Sequence, residues 1–265
     1  MRQSVMVSAE SFASADAYDI VASNIETVNG LFAEHLRSEE VPQDALRSYY
    51  VDYYLAQVNN GGFSQFVWNS KWPPEVVNLV REGLCLMKAE QHLQLFEENV
   101  ALVDRMGPAG LAAYLRSDYW GDNAERDALG ANDRRFFELA NTEDLIALNA
   151  AWLRGLPTLQ VQSSQDIKAE IERRAAALPD RQERQRQALE NEPRYLKLMR
   201  ALSLRAGQAF VRATAGDPTH RYNGEQVLAW HFLTDKGHHY MVDAGGKAIM
   251  FDGATGKPVA EIAAP

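Results

Sequence analysis

Cysteine is nearly absent: Cys85 stands alone in 265 residues, which excludes a disulfide framework and a Cys-rich zinc module. Long apolar runs are missing too. No stretch reaches the ~18 apolar residues of a membrane span. The opening Met1-Arg-Gln-Ser-Val-Met-Val-Ser-Ala-Glu10 turns polar too early for a signal-peptide core. The expectation is a soluble, cytoplasmic protein with no membrane contact. Familiar catalytic signatures are also lacking. There is no Gly-x-Ser-x-Gly and no His-Glu-x-x-His, and Gly256-Lys257 is no phosphate loop, because Phe251 replaces the required earlier glycine and Pro258 follows. Cys85 lies in apolar Gly83-Leu-Cys-Leu-Met87 and reads as an inert buried thiol. No catalytic residue, metal or cofactor is expected.

What is present is acid, unevenly placed. The net charge is −9. Residues 1–150 hold 23 Asp and Glu against 11 Lys and Arg, while residues 151–265 hold 13 against 16. Such asymmetry bears on partners rather than fold. An acidic front part repels nucleic acid and attracts basic protein surfaces; the plainer alternative is that it only maintains solubility.

The pattern of the chain predicts an α+β protein: a mainly helical N-terminal domain, then basic helices and a small antiparallel sheet. Apolar residues from Asp19 to Leu36 recur at steps of three and four. Pro42 opens a helix carrying Tyr49, Tyr50, Tyr53 and Tyr54, which Asn59-Asn-Gly-Gly62 breaks. A short helix over Phe63–Asn69 follows, then helices over 75–88 and 89–106, the last stopped by Gly107-Pro108. Helical spacing resumes over 134–140 and 144–153, with Asn141 as the expected N-cap of the latter. A boundary near Pro157 divides domains at 15–157 and 164–265. Arg173–Arg212 carries ten basic and four acidic residues on helices that keep an apolar stripe. Turn signals at Thr234–Gly237 and Asp252–Gly256 then predict about four strands.

Three features could bear chemistry. His231, His238 and His239 cluster on two strands, with His231 opposite Tyr240, but no third metal ligand is evident by spacing. Carboxylates gather in three groups: Asp118, Asp122, Glu125 and Asp127, with Asp133 beyond; Glu34, Glu39, Glu40 and Asp44; and Glu97-Glu98. They read as solvated faces or an acidic docking surface. Third, Asn59, Asn60, Gly61, Gly62, Phe63, Gln65, Phe66 and Asn69 make an unusual corner: glycines for a sharp turn, phenylalanines to seat a helix, amides for fixing neighbouring loops. It has no acid, base or nucleophile.

The run Tyr53-Tyr-Leu-Ala-Gln-Val-Asn-Asn-Gly-Gly-Phe-Ser-Gln-Phe-Val-Trp-Asn69 resembles a bacterial domain family of unknown function, marked by Asn-Gly-Gly-Phe-x-Gln-(aromatic)-x-x-Asn, that includes a DNA-mimic protein. The likeness extends over roughly residues 20–155 and takes in Asp133-Arg-Arg-Phe-Phe-Glu-Leu139. The resemblance implies a helical, acidic domain acting by protein–protein contact, either blocking a DNA-binding protein or neutralising a toxin as immunity proteins do. The expected function is therefore a non-enzymatic binding protein for a basic partner. The competing expectation is an enzyme or small-ligand protein, with a pocket joining Tyr50, Tyr53, Asn60, Gln65 and Asn69. A third is direct nucleic-acid contact through Arg173–Arg212. Whether the chain forms a homodimer is left open by the sequence.

Overall fold

The computed structural model describes residues 4–119 and 121–264, and it is α+β. The chain divides into two compact units, Met1–Arg181 and Gln182–Pro265.

The first unit is helical around one short sheet. Strand β1 (Val5–Ser8) leads through α1 (Ala9–Ala13) into α2 (Ala17–Ala33), capped by the Asp16 carboxylate. Then come α3 (Gln43–Ser70), α4 (Pro74–Leu86), α5 (Glu90–Tyr114), α6 (Ala124–Leu129), α7 (Asp133–Leu139) and α8 (Leu145–Arg154). Strand β2 (Leu159–Gln162) lies parallel to β1, Val5 opposite Leu159, and α9 (Ser164–Ala176) follows. Val5 and Val7, α2 and the end of α8 share a core with Ala175 of α9. Gly30 of α2 sits so close to Ile171 that a Cβ there would meet its Cδ1 at 2.8 Å. That packing carries the first unit past Pro157 to Arg181. A second core in this unit gathers Tyr54, Phe63, Phe66, Phe96 and Phe136 from α3, α5 and α7.

The second unit sets α11 (Arg194–Arg205), preceded by α10 (Arg181–Glu190), on an antiparallel sheet. Its strand order is β3 (Phe210–Asp217), β6 (Ala229–Thr234), β7 (Gly237–Ala244), β8 (Lys247–Asp252) and β9 (Pro258–Ala263), with a ribbon of β4 (Arg221–Tyr222) and β5 (Glu225–Gln226) between β3 and β6. Met199 and Leu202 of α11 pack on Phe232, Met241 and Met250. The sheet thus has five strands rather than about four, because Phe210–Asp217 pairs with β6 instead of ending the basic helical stretch.

Several local expectations are corrected. Gly107-Pro108 kinks α5 rather than stopping it: Gly107 adopts φ 66° and the helix resumes to Tyr114. Asp144, not Asn141, caps α8, its carboxylate accepting from the Ile146 and Ala147 N–H groups. Cys85 is exposed, because Gly83 and Leu84 take the buried face of α4 and turn the thiol outward.

Candidate functional site

The Asn59–Asn69 corner is one bent helix. Backbone geometry leaves the helical region at Gly61 and at Gly62, where φ is 77° and ψ 177°. This second value is open essentially to glycine alone. The bend strips Phe63 N–H of its partner one turn back, and Asp133 Oδ1 accepts it at 2.8 Å. Oδ2 of the same carboxylate fills the space beside Gly62, where a Cβ would lie 2.0 Å away. Burial pushes the Asp133 carboxyl up, and the Phe63 N–H partly offsets that. Asp133 is therefore a helix cap supplied from 70 residues downstream.

The corner amides bond one another. Asn60 Nδ2 donates to Gln65 Oε1 at 3.1 Å, Gln65 Nε2 to Gln57 Oε1 at 3.0 Å, and Asn69 Nδ2 to the same Gln57 oxygen at 2.6 Å. They tie the two halves of α3 together instead of reaching into neighbouring loops. Asn59 is exposed on the last turn before the bend, while Phe63 and Phe66 are fully buried. Phe66 meets Tyr54 at 5.2 Å between ring centres, and Tyr54 in turn meets Phe96 and Phe136. The arrangement fixes a bend; it offers no group for chemistry.

The carboxylates divide by pairing. Asp44 bonds Arg47 at 2.7 Å, Glu97 bonds Arg81 at 2.5 Å and Glu98 bonds Arg135. Glu40 accepts the Arg37 N–H at 2.8 Å, and Asp127 pairs with Arg126 at 2.9 Å. Arg126 also donates to the Tyr119 and Gly121 carbonyls, which folds the acidic loop ahead of α6. Asp118, Asp122, Glu125 and Asp127 are all exposed there, as is Glu39 on its own turn. Residues 1–181 carry 27 acidic and 16 basic side chains, residues 182–265 nine and eleven.

The basic stretch is largely neutralised in place. Arg173 and Arg174 both bond Glu170, whose carboxyl the two guanidiniums hold down at about 2. Arg186 bonds Glu183 and Glu190 at 2.6 and 2.8 Å. On the sheet, His231 lies opposite Tyr240 as expected, and its Nδ1 is 2.9 Å from His238 Nε2. His239 is buried. Among the described residues no group of three His, Cys, Asp or Glu side chains is placed to hold a metal.

One buried and one partly buried titratable group escaped the reading of the sequence. His92 is buried at the start of α5, its Nδ1 2.7 Å from Glu143 Oε1, while Glu143 accepts the His92 and Gln91 N–H groups. Burial lowers the imidazole, and Glu143 offsets part of this. The other group is Asp52 of α3. It is partly buried, has no hydrogen bond or ion pair among the described residues, and burial raises its carboxyl to about 6. Neither stands out by spacing, since each depends on what distant helices cover.

The sign of the Asp52 effect is definite. A carboxyl raised on folding contributes most below its unfolded value of 3.8, and that contribution is lost as pH rises through about 6. Asp52→Asn is expected to raise the unfolding free energy by about 1–3 kcal/mol at pH 7.5, water access setting the lower end. The gain should shrink to about 0.5 kcal/mol or less at pH 4. Urea unfolding at the two pH values checks both.

Residues 39–156 match the family model of DMP19-like proteins. That segment runs from the 3-10 turn before α3 through α8, and includes the bent corner and its Asp133 cap. No curated protein and no solved structure matches the chain.

Proposed function

We propose that this protein is a non-enzymatic binder of a basic protein, acting as a DNA mimic towards a DNA-binding protein or as an immunity-type inhibitor of a toxin. The observation that carries this reading is an acidic helical unit whose body matches a DMP19-like family model. Duplex DNA presents one charge per ~1.7 Å of axis, so a mimic needs exposed carboxylates over a folded surface. Asp118, Asp122, Glu125 and Asp127 supply the densest exposed group, with Glu39 beside α3. Asp127 shares its charge with Arg126, as Asp44, Glu97 and Glu98 do with their arginines, so the group counts by its density and exposure rather than by freedom from pairing. No observation favours the ligand-pocket reading at the corner, whose amides are spent on one another.

Competition with DNA separates the two forms of the proposal. A mimic and a short duplex should exclude each other on the captured partner, whereas an inhibitor bound elsewhere should let the duplex bind. Exchanging Asp118, Asp122, Glu125 and Asp127 for their amides should weaken partner affinity about 10–100-fold, measured by titration calorimetry. Unchanged affinity would remove this loop from the interface.

A further inference from the structure

Asp52 is an anomaly that the fold does not explain. A carboxylate taken partly out of water normally recovers its lost hydration through hydrogen bonds or a cation. Asp133 does so through Phe63 N–H; Asp52 has no such partner among the described residues. Its surroundings are aromatic. Tyr49, Asp52 and Tyr53 fall at i, i+3 and i+4 on α3 and so share one face. Tyr18, on the first turn of α2, feels the Asp52 charge, which together with burial raises its phenol; burial and the same charge raise that of Tyr49. The Tyr49 hydroxyl donates to Asn29 Oδ1 at 3.0 Å, so its hydrogen is directed elsewhere. Tyr50 braces Tyr49 and Tyr53, its ring standing edge-on to each at 5.2 and 6.3 Å. Tyr18 is 43% exposed, so the cluster opens to solvent.

One carboxylate is too few ligands for a bare divalent ion, which takes six or more oxygens. A carboxylate among tyrosine rings suits instead an organic cation, whose charge meets the carboxylate while the rings receive its stem and its cation–π contact. We propose that Asp52, with Tyr18, Tyr49 and Tyr53, is a receiving site for a single cationic side chain, a lysine or arginine of the basic partner. The inference rests on the proposed function for the source of that side chain. It explains why a destabilising acid sits there: the partly dehydrated charge weakens the free fold and gains a cationic partner in the complex.

The test uses the full chain with ring-labelled tyrosine, followed by NMR, and two probes of equal shape. N-acetyl-lysine methylamide should shift the Tyr18, Tyr49 and Tyr53 signals saturably, and the neutral N-acetyl-norleucine methylamide should act at least about tenfold more weakly. Asp52→Asn, a variant expected to be more stable than the parent, should abolish the lysine response. Equal responses to both probes, or a lysine response that survives Asp52→Asn, would overturn the proposal. The two readings fail separately. Rings that respond in a chain that retains no basic protein would sink the proposed function and leave this site standing. A partner held with unchanged affinity by Asp52→Asn would do the reverse.

Discussion

Replacing Gly62 with alanine is expected to lower the unfolding free energy by about 3–5 kcal/mol, the largest effect of any small substitution in the first unit. Two costs combine. The backbone at φ 77° and ψ 177° is closed to a residue bearing a Cβ, and that Cβ would strike Asp133 Oδ2. Moving Asp133 aside uncaps Phe63 N–H, so relief of the clash forfeits a charged hydrogen bond. Gly61→Ala is the control. Its φ of −159° lies outside the left-handed region that demands glycine. Its Cβ would meet Gln65, whose amide end can turn aside at the loss of its Asn60 bond and whose Cβ at 3.2 Å must give by a few tenths of an ångström. The control should cost no more than about 1 kcal/mol. Urea unfolding followed by tryptophan fluorescence distinguishes the two, and equal losses would refute the Asp133 cap as the reason for the motif.

The second large effect is expected at Tyr54. The ring is fully buried and stands edge-on to Phe66, Phe96 and Phe136, with centroids at 5.2, 5.2 and 5.5 Å. Tyr54→Ala should cost about 3–5 kcal/mol, combining lost burial with a cavity. The hydroxyl is another matter. It is buried beside Asn99 without a hydrogen bond of ordinary geometry, and burial drives its phenol far upward. Tyr54→Phe therefore removes an unsatisfied group and should leave stability within about 1 kcal/mol of the parent. A loss comparable to that of alanine would mean the hydroxyl, not the ring, organises this core.

The contrast between these sites shows what a sequence can disclose. Asn59-Asn-Gly-Gly-Phe announces a bend because glycines tolerate backbone that other residues cannot. The partner of that bend is invisible locally: Asp133 is 70 residues away and looks like one more surface acid. Helix periodicity exposed α2, α8 and the two halves of α3, since each sets most of its apolar residues on the buried face. Strands β1 and β2 were missed because each is four residues long and Val5–Ser8, buried throughout, shows no alternation. Gly107-Pro108 carried a stop signal that tertiary packing overrode, leaving a kink. The acidic surface was legible as a total charge. Which acids are free was not, because Glu97 and Glu98 meet arginines on other helices. Asp52 went unremarked since its peculiarity lies in what is absent around it.

Salt-dependent capture by the intact chain tests the central claim most directly. The protein and its variant lacking the Asp118, Asp122, Glu125 and Asp127 charges would be immobilised and offered native lysate at low and high salt, with retained proteins identified by mass spectrometry. Screening to ~8 Å at physiological ionic strength already weakens exposed charge pairs, and higher salt shortens it further. The account predicts a basic DNA-binding or toxin-like protein held at low salt, released at high salt and poorly retained by the variant. A partner indifferent to both salt and the four charges would contradict it.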